Sequence, residues 1–345
     1  MARLKWGILG TGKIAGTFAK GVAASQTGVL TAVGSRTKAA ADRFSAEYGP
    51  IRAYASYEEL LEDSNVEAVY ISLPNHLHAE WTVQCARAGK HILCEKPFTV
   101  NHAEAEATID FVRECDVFLM EAFMYRCHPQ TARLRELVRD GAIGEMRIIQ
   151  SNFCYNMGPK YENIRLSNPA AGGGIMDVGC YTASMARLIA DGEPEIVTAV
   201  GHIGAISRVD EQATAALKFP GGIVASLACA TQAAADSEVR IWGSEGSIRV
   251  PNPWFPGEKD NKILVQRAGE PVEVITVEAP VSLYAVEADT VAKNLGLRQA
   301  LSPCMTWDDT LGNMAVLDAW REAIGLVFDV EKDHADVDVL VVPQD

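Results

Sequence analysis

A chain of 345 residues is long enough for about two domains, and its net charge of −14 leaves no basic surface for sequence-independent nucleic-acid binding. No apolar run approaches the ~20 residues of a membrane helix, and the N-terminal apolar patch is cut by Gly7, Gly10 and Gly12, unlike a signal peptide. The eight cysteines form no Cys-x-x-Cys pair and match no zinc spacing, so a reduced, cytoplasmic protein without a metal is expected.

Residues 4–16 read as a short apolar strand, a glycine turn and the first turn of a helix that continues over 18–24. Gly10 and Gly12 stand two apart, with Ala15 three further on. In a dinucleotide fingerprint the first permits the tight turn, the second lets a pyrophosphate approach the backbone, and the small third residue lets helix and strand meet closely. The N–H groups of that helix would point at the phosphates.

Strands follow at 29–34, 66–73, 91–94 and 117–120, with helices at 39–48, from Ser56, at 78–88 and at 103–114. This alternation predicts an α/β, doubly wound parallel sheet, whose ligands lie beyond the carboxyl ends of its strands. The second strand ends in Gly34-Ser35-Arg36-Thr37-Lys38, without the acid that holds a ribose 2′-hydroxyl in NAD sites. Arg36 suits a 2′-phosphate and Ser35 can donate to it, so NADP(H) is expected over NAD(H). The bland alternative is a solvated charge after a strand. Glu95-Lys96-Pro97 follows another strand end. Pro97 restricts Lys96, and a lysine there can lower a neighbour's pKa or bond a reacting hydroxyl; a surface turn is the alternative.

Past residue 125 the pattern changes. A helix over 129–139 precedes strand-like runs at 146–153, 196–203, 213–219, 223–230, 238–242, 247–250, 263–266 and 272–277. Gly221-Gly222 signals a hairpin, and amphipathic helices at 285–299 and 307–327 close the chain. An α+β second domain with a mostly antiparallel sheet is expected over 124–345, after a nucleotide-binding domain over 1–123. Within the second domain lies Gly172-Gly173-Gly174, followed by a helix expected from near 175 to 189. Asp177 and Tyr181 are four apart and would share one face of it. A tyrosine needs a nearby cation to act near neutral pH, and Lys96 could be that cation; Asp177 could orient a substrate hydroxyl. The alternative is a dipole-favoured Asp and a half-buried Tyr.

Gly10-x-Gly12-x-x-Ala15, Ser35-Arg36, Pro74-Asn75-x-x-His78, Glu95-Lys96-Pro97, the run Glu121-Ala122-Phe123-Met124-Tyr125-Arg126 and Asp177-x-Gly179-x-Tyr181 occur in one order. With them the chain resembles the glucose–fructose oxidoreductase/inositol dehydrogenase (Gfo/Idh/MocA) family over nearly its whole length. The Asp-x-Gly-x-Tyr form is similar to the branch of dimeric dihydrodiol dehydrogenases, D-xylose dehydrogenases and glucose–fructose oxidoreductase. Inositol dehydrogenases and 1,5-anhydrofructose reductase carry His at the matching place. The resemblance implies a Rossmann domain joined to an open, mostly antiparallel sheet. It implies that Gly10, Thr11, Gly12, Lys13 and Ile14 line the pyrophosphate, and that Ser35, Arg36 and Lys38 hold the 2′-phosphate. Leu73, Pro74, Asn75 and His78 would run under the adenosine and nicotinamide ribose, with Glu95 and Lys96 near the nicotinamide and a cis Lys96–Pro97 peptide. Arg165 and Tyr284 match further cofactor contacts. Lys96, Asp177 and Tyr181 would be catalytic, with Tyr181 moving the proton of a sugar-like secondary alcohol or hemiacetal.

Other readings stay open. One is a dihydrodiol or dicarbonyl reductase, for which Phe153, Tyr155, Met157 and Trp254 offer either an apolar pocket or plain core. Another is a non-catalytic NADP-binding regulator, which need not keep Lys96 and Tyr181. His76 and His78 are expected as loop contacts rather than zinc ligands. Relatives often dimerise through the open sheet face, so a homodimer or higher homo-oligomer is expected, with a small molecule as the other partner.

Overall fold

The computed structural model describes residues 3–333; residues 1, 2 and 334–345, the tail of the expected second domain included, lie outside the described residues. The first sheet is built from β1 (Leu4–Leu9), β2 (Gly28–Gly34), β3 (Arg52–Tyr54), β4 (Ala68–Ile71), β5 (His91–Glu95) and β6 (Leu119–Ala122). Its order is β3-β2-β1-β4-β5-β6, and every pair is parallel. Helices α1 (Lys13–Ala24), α2 (Lys38–Tyr48), α3 (Tyr57–Leu61), α4 (His78–Arg87) and α5 (His102–Glu114) make the crossovers. Helices on both faces leave the central strands no wet side, which is why Ile8, Val69, Tyr70, Ile71, Ile92 and Leu93 are all fully buried. The strand order reverses between β1 and β4, so the glycine turn and the Leu73-Pro74 loop flank the crevice where such sheets bind ligands.

The second half begins with α6 (Pro129–Arg139) and β7 (Met146–Cys154). After α7 (Cys180–Ala190) come β8 (Ile196–Ile203), β9 (Asp210–Lys218), β10 (Val224–Ala230), β11 (Val239–Gly243), β12 (Gly246–Val250), β13 (Asn261–Arg267) and β14 (Glu273–Val277). They form one sheet, β14-β13-β12-β11-β7-β10-β9-β8, antiparallel except where β10 runs parallel to β7. Gly221 and Gly222 turn the β9–β10 hairpin with φ of 75° and 82°. α7 and α9 (Trp307–Ala323) cover one face and bury Ile149, Ala215, Leu217 and Leu227. The alternating residues Ile148, Ile196, Val200 and Val224 are exposed on the other, so the sheet is open on one side.

Three boundaries depart from expectation. The helix expected over 175–189 opens with a π turn, Ile175–Gly179, before α7 begins. Its wider turn breaks the simple four-residue spacing, and Asp177 and Tyr181 reach different partners. The helix expected over 285–299 is α8 (Leu283–Asn294), followed by a 3₁₀ turn at Leu295–Leu297. α9 stops before 327 because Gly325, at φ 71°, ends it in the left-handed conformation. α10 (Asp329–Asp333) follows.

The two halves are joined by polar contacts as well as by core. His102 N donates to Asp318 at 2.8 Å, and Asn75 Nδ2 donates to Ala171 O at 2.7 Å. Glu121, fully buried at the end of β6, accepts from Phe98 N and from the Thr310 hydroxyl of α9, each at 2.9 Å. Burial pushes its carboxyl up to about 8 against donors and distant arginines that act the other way. The folded chain therefore keeps a proton that the unfolded chain loses above 4.5. The stabilisation is whole below that pH and drains away as pH rises towards about 8. Glu121→Gln should flatten the fall of melting temperature between about pH 5 and pH 8. An unchanged slope in thermal unfolding would show that Glu121 does not hold that proton.

Candidate active site

The glycine turn follows β1 directly. Gly10 has φ 101°, and a Cβ on it would stand 2.9 Å from Ser72 Oγ, so the first glycine is required by the protein itself. Gly12 is different. A Cβ there would meet no protein atom within 4 Å, and no side chain caps α1 behind it. The cradle that such a Cβ would fill, with free N–H groups at its base, fits a pyrophosphate. Thr11, Gly12 and Lys13 line a cleft of about 320 Å³ with Ala40, Arg43, Phe44, Glu47 and Tyr48. Lys13, Arg36 and Arg43 make no ion pair among the described residues, whereas Lys38 is paired with Asp42 one turn on. Ser35 is buried and its N–H donates to Tyr54 O at 3.2 Å. Arg43 was not singled out from the sequence, because one arginine inside a helix carries no motif.

On the other side of the crevice Leu73 and Pro74 form a loop rather than a straight extension of β4, and Asn75 opens a 3₁₀ turn. His78 is a loop contact, as expected, and not the ribose contact that the resemblance implies. It is fully buried, and its ring nitrogens lie 2.8 Å from Pro97 O and Leu73 O, so it ties two loops together instead of facing the crevice. Tyr284 packs along α1, where a Cβ on Gly21 would come 2.5 Å from its own Cβ. Glu95 accepts from the Tyr70 hydroxyl and from Lys96 N at 3.3 Å, and burial raises its pKa despite the Lys96 charge.

The structure brings Lys96 to Asp177. The Lys96–Pro97 peptide is cis, and Lys96 Nζ donates to Asp177 O at 2.6 Å and to Asp177 Oδ1 at 3.1 Å. Burial opposes the ammonium, yet Asp177, Cys180 and Glu95 together outweigh it and the Lys96 pKa is raised. Asp177 Oδ2 takes Arg165 Nε at 3.0 Å and the Tyr155 hydroxyl. Burial alone would push the Asp177 carboxyl up, but Lys96 and Arg165 bring it down to about 2. It is a fixed anion, not a proton acceptor, at neutral pH.

Asp210 explains the glycine run before Asp177. Its carboxylate accepts from Ile175 N at 2.7 Å at the mouth of the π turn. Gly173 has φ 109°, and a Cβ on it would lie 2.2 Å from Asp210 Oδ1. An acid at the start of a strand gave no sequence signal for this.

Tyr181 lies beside Lys96 in a manner the spacing did not predict. The ammonium sits 5.0 Å from the ring centroid, over the ring rather than at the hydroxyl. The hydroxyl donates to Met124 Sδ at 3.4 Å. Phe123, Phe153 and Trp254 meet the ring edge-on at 5.0, 5.3 and 5.8 Å. Burial raises the Tyr181 pKa well above its ordinary value, and Glu95 adds to this. The expected cation-stabilised phenolate is therefore replaced by a neutral phenol that keeps its proton. Phe153 and Trp254 are buried around Tyr181 as packing. A wider groove of about 640 Å³ between α6 and β14 holds none of these residues.

Residues 4–123 match the family described as "Oxidoreductase family, NAD-binding Rossmann fold", and residues 131–249 match "GFO/IDH/MocA C-terminal domain". The chain is 32% identical to D-xylose 1-dehydrogenase (NADP(+)) 2 of Haloferax volcanii, over 93% of this chain and 97% of that one. It is 31% identical to trans-1,2-dihydrobenzene-1,2-diol dehydrogenase of Mus musculus, over 95% and 99%. The crystal structure of the 3-ketoreductase KijD10 from Actinomadura kijaniata, in complex with NADP and TDP-benzene, superposes with a TM-score of 0.85. It covers 93% of this chain and 98% of that one at 28% identity.

Proposed function

The chain belongs to the GFO/IDH/MocA oxidoreductase family, and we propose that it is an NADP(H)-dependent dehydrogenase or reductase for a secondary alcohol or hemiacetal of a sugar-like polyol. The observation that carries this reading is the Lys96 ammonium held on Asp177 across the junction of the two halves, beside the ring of Tyr181. The proposed division gives the cofactor to residues 1–123, and the substrate and subunit contacts to 124–345. A bound nicotinamide supplies or accepts the hydride.

Gly10, Thr11, Gly12, Lys13 and Ile14 hold the pyrophosphate in this reading. Ser35, Arg36 and Lys38 hold the 2′-phosphate, with Arg43 added from the cleft. Leu73, Pro74 and Asn75 bound the other side of the crevice, and Glu95, Arg165 and Tyr284 border its inner end. Lys96 and Asp177 bond substrate hydroxyls. Tyr181, a neutral phenol, gives its proton to the substrate oxygen in reduction, and oxidation runs the same step in reverse from the phenolate which that transfer leaves. Its hydroxyl rests on a thioether, a weak acceptor, so it turns to a substrate oxygen at little cost. The exposed apolar residues of the sheet's open face, Ile148, Ile196, Val200 and Val224, support a homo-oligomer formed there. A trans-dihydrodiol or dicarbonyl substrate is the second reading, favoured by the aromatic residues around Tyr181 and by the mouse relative.

Absorbance at 340 nm with a panel of sugars and dihydrodiols tests both readings. Tyr181→Phe should lose most of kcat while still binding NADP; unchanged turnover would refute its role. Arg36→Ala should raise the KM for NADP far more than that for NAD, and equal effects would remove the 2′-phosphate from Arg36.

A further inference from the structure

The carboxylate of Asp177 has about four lone-pair directions, and three are occupied. Lys96 takes one on Oδ1, while Arg165 and Tyr155 take both on Oδ2. Lys96 comes from the nucleotide-binding sheet, whereas Arg165 and Tyr155 come from the second half. These two donors differ in how they are held. Arg165 stands on a 3₁₀ turn, Ile164–Leu166, with its side chain 45% exposed. Tyr155 is anchored. Its N–H donates to Ala230 O at 3.0 Å, and Met157 N donates to Thr231 O at 2.9 Å, so the β7–β10 pairing continues past both strand ends. Among the described residues the hydrogen-bond partner of the phenol is Asp177.

We propose that Tyr155 is a positioning residue of the reaction: its hydroxyl fixes the rotation of the Asp177 carboxylate and leaves one direction, on Oδ1, to receive a substrate hydroxyl. Tyr155 acts through Asp177 and moves no proton itself. Burial, and then the Asp177 charge, raise its pKa, which keeps the hydroxyl a donor throughout the neutral range. With one acceptor direction open beside Lys96, a substrate carrying two adjacent hydroxyls can place one on Asp177 and the other towards Lys96. The site would thus favour vicinal diols, the feature shared by sugars and trans-dihydrodiols. The inference rests on the dehydrogenase reading above.

Two measurements test it. The first needs no turnover. Thermal unfolding of the apo protein is compared for wild type, Tyr155→Phe, Asp177→Asn and the double variant. If the hydroxyl is spent on Asp177, the melting shift of the double variant is smaller than the sum of the single shifts. Additive shifts overturn the contact and the proposal with it. The second is steady-state kinetics with NADP+ and D-xylose or trans-1,2-dihydrobenzene-1,2-diol, whichever the wild type oxidises. Tyr155→Phe should lower kcat about tenfold, the order expected for one hydrogen bond to a charged group. The KM for the diol and the Kd for NADP+ should stay within about twofold. A raised KM with unchanged kcat, or no change in either, overturns positioning. Wild-type protein that turns over neither diol, while the unfolding shifts are non-additive, contradicts the dehydrogenase reading and leaves the Tyr155–Asp177 coupling standing.

Discussion

A buried ammonium bonded to a buried carboxylate joins the halves of this protein, and most of the site's character follows from that pair. Each side chain is 12% exposed. Removing Asp177 takes the ion-pair partner from an ammonium that water scarcely reaches, whereas removing Lys96 leaves the carboxylate with Arg165. Lys96 also spends one donor on the Asp177 backbone carbonyl, so the contact fixes a main-chain position as well as a side chain. The two halves meet where the sheet that would hold a nucleotide ends and the π turn of the other half begins.

The surroundings divide into fixed charges and held protons. Lys96, Asp177 and Arg165 stay ionised because they face each other. Tyr181 and Tyr155 stay protonated because burial penalises the phenolate. In the proposed reading such a site polarises a hydroxyl or carbonyl with charge that needs no rearrangement, while Tyr181 keeps a proton to give. Backbone devices far apart in sequence maintain it. His78 ties the Pro97 loop to the Leu73 loop, Glu121 ties the Phe98 backbone to α9, and Asp210 holds the mouth of the π turn.

Much of the fold was legible because its signals are local. The strand–glycine–helix start, the βαβ alternation and the Gly221-Gly222 hairpin are each written in a few adjacent residues. The parallel sheet and the mostly antiparallel second sheet follow from them. The parallel β7–β10 pair was not legible, since the connection between those strands runs through residues 155–223 and no local pattern records it. In the site, Gly10, Gly12, Arg36 and Lys96 stood out by residue type and position after strands, and Asp177 and Tyr181 by their spacing after a glycine run. Their pairings did not. The π turn separated Asp177 from Tyr181, and Tyr155 read as an apolar-pocket residue or plain core because its partner lies on another element. Asp210 gave no signal for the same reason: its contact with Ile175 spans 35 residues.

The central claim is that Lys96 serves the chemistry at the junction and not merely the joining of two halves. Lys96→Met keeps the stem of the side chain and removes the charge. Its rate of NADPH formation at 340 nm, with the best substrate of the wild type, is the most direct measurement. A loss of about 10²–10⁴-fold, with NADP+ still bound at wild-type affinity, is the predicted result. Turnover near the wild-type rate would contradict the account, whatever the variant's stability.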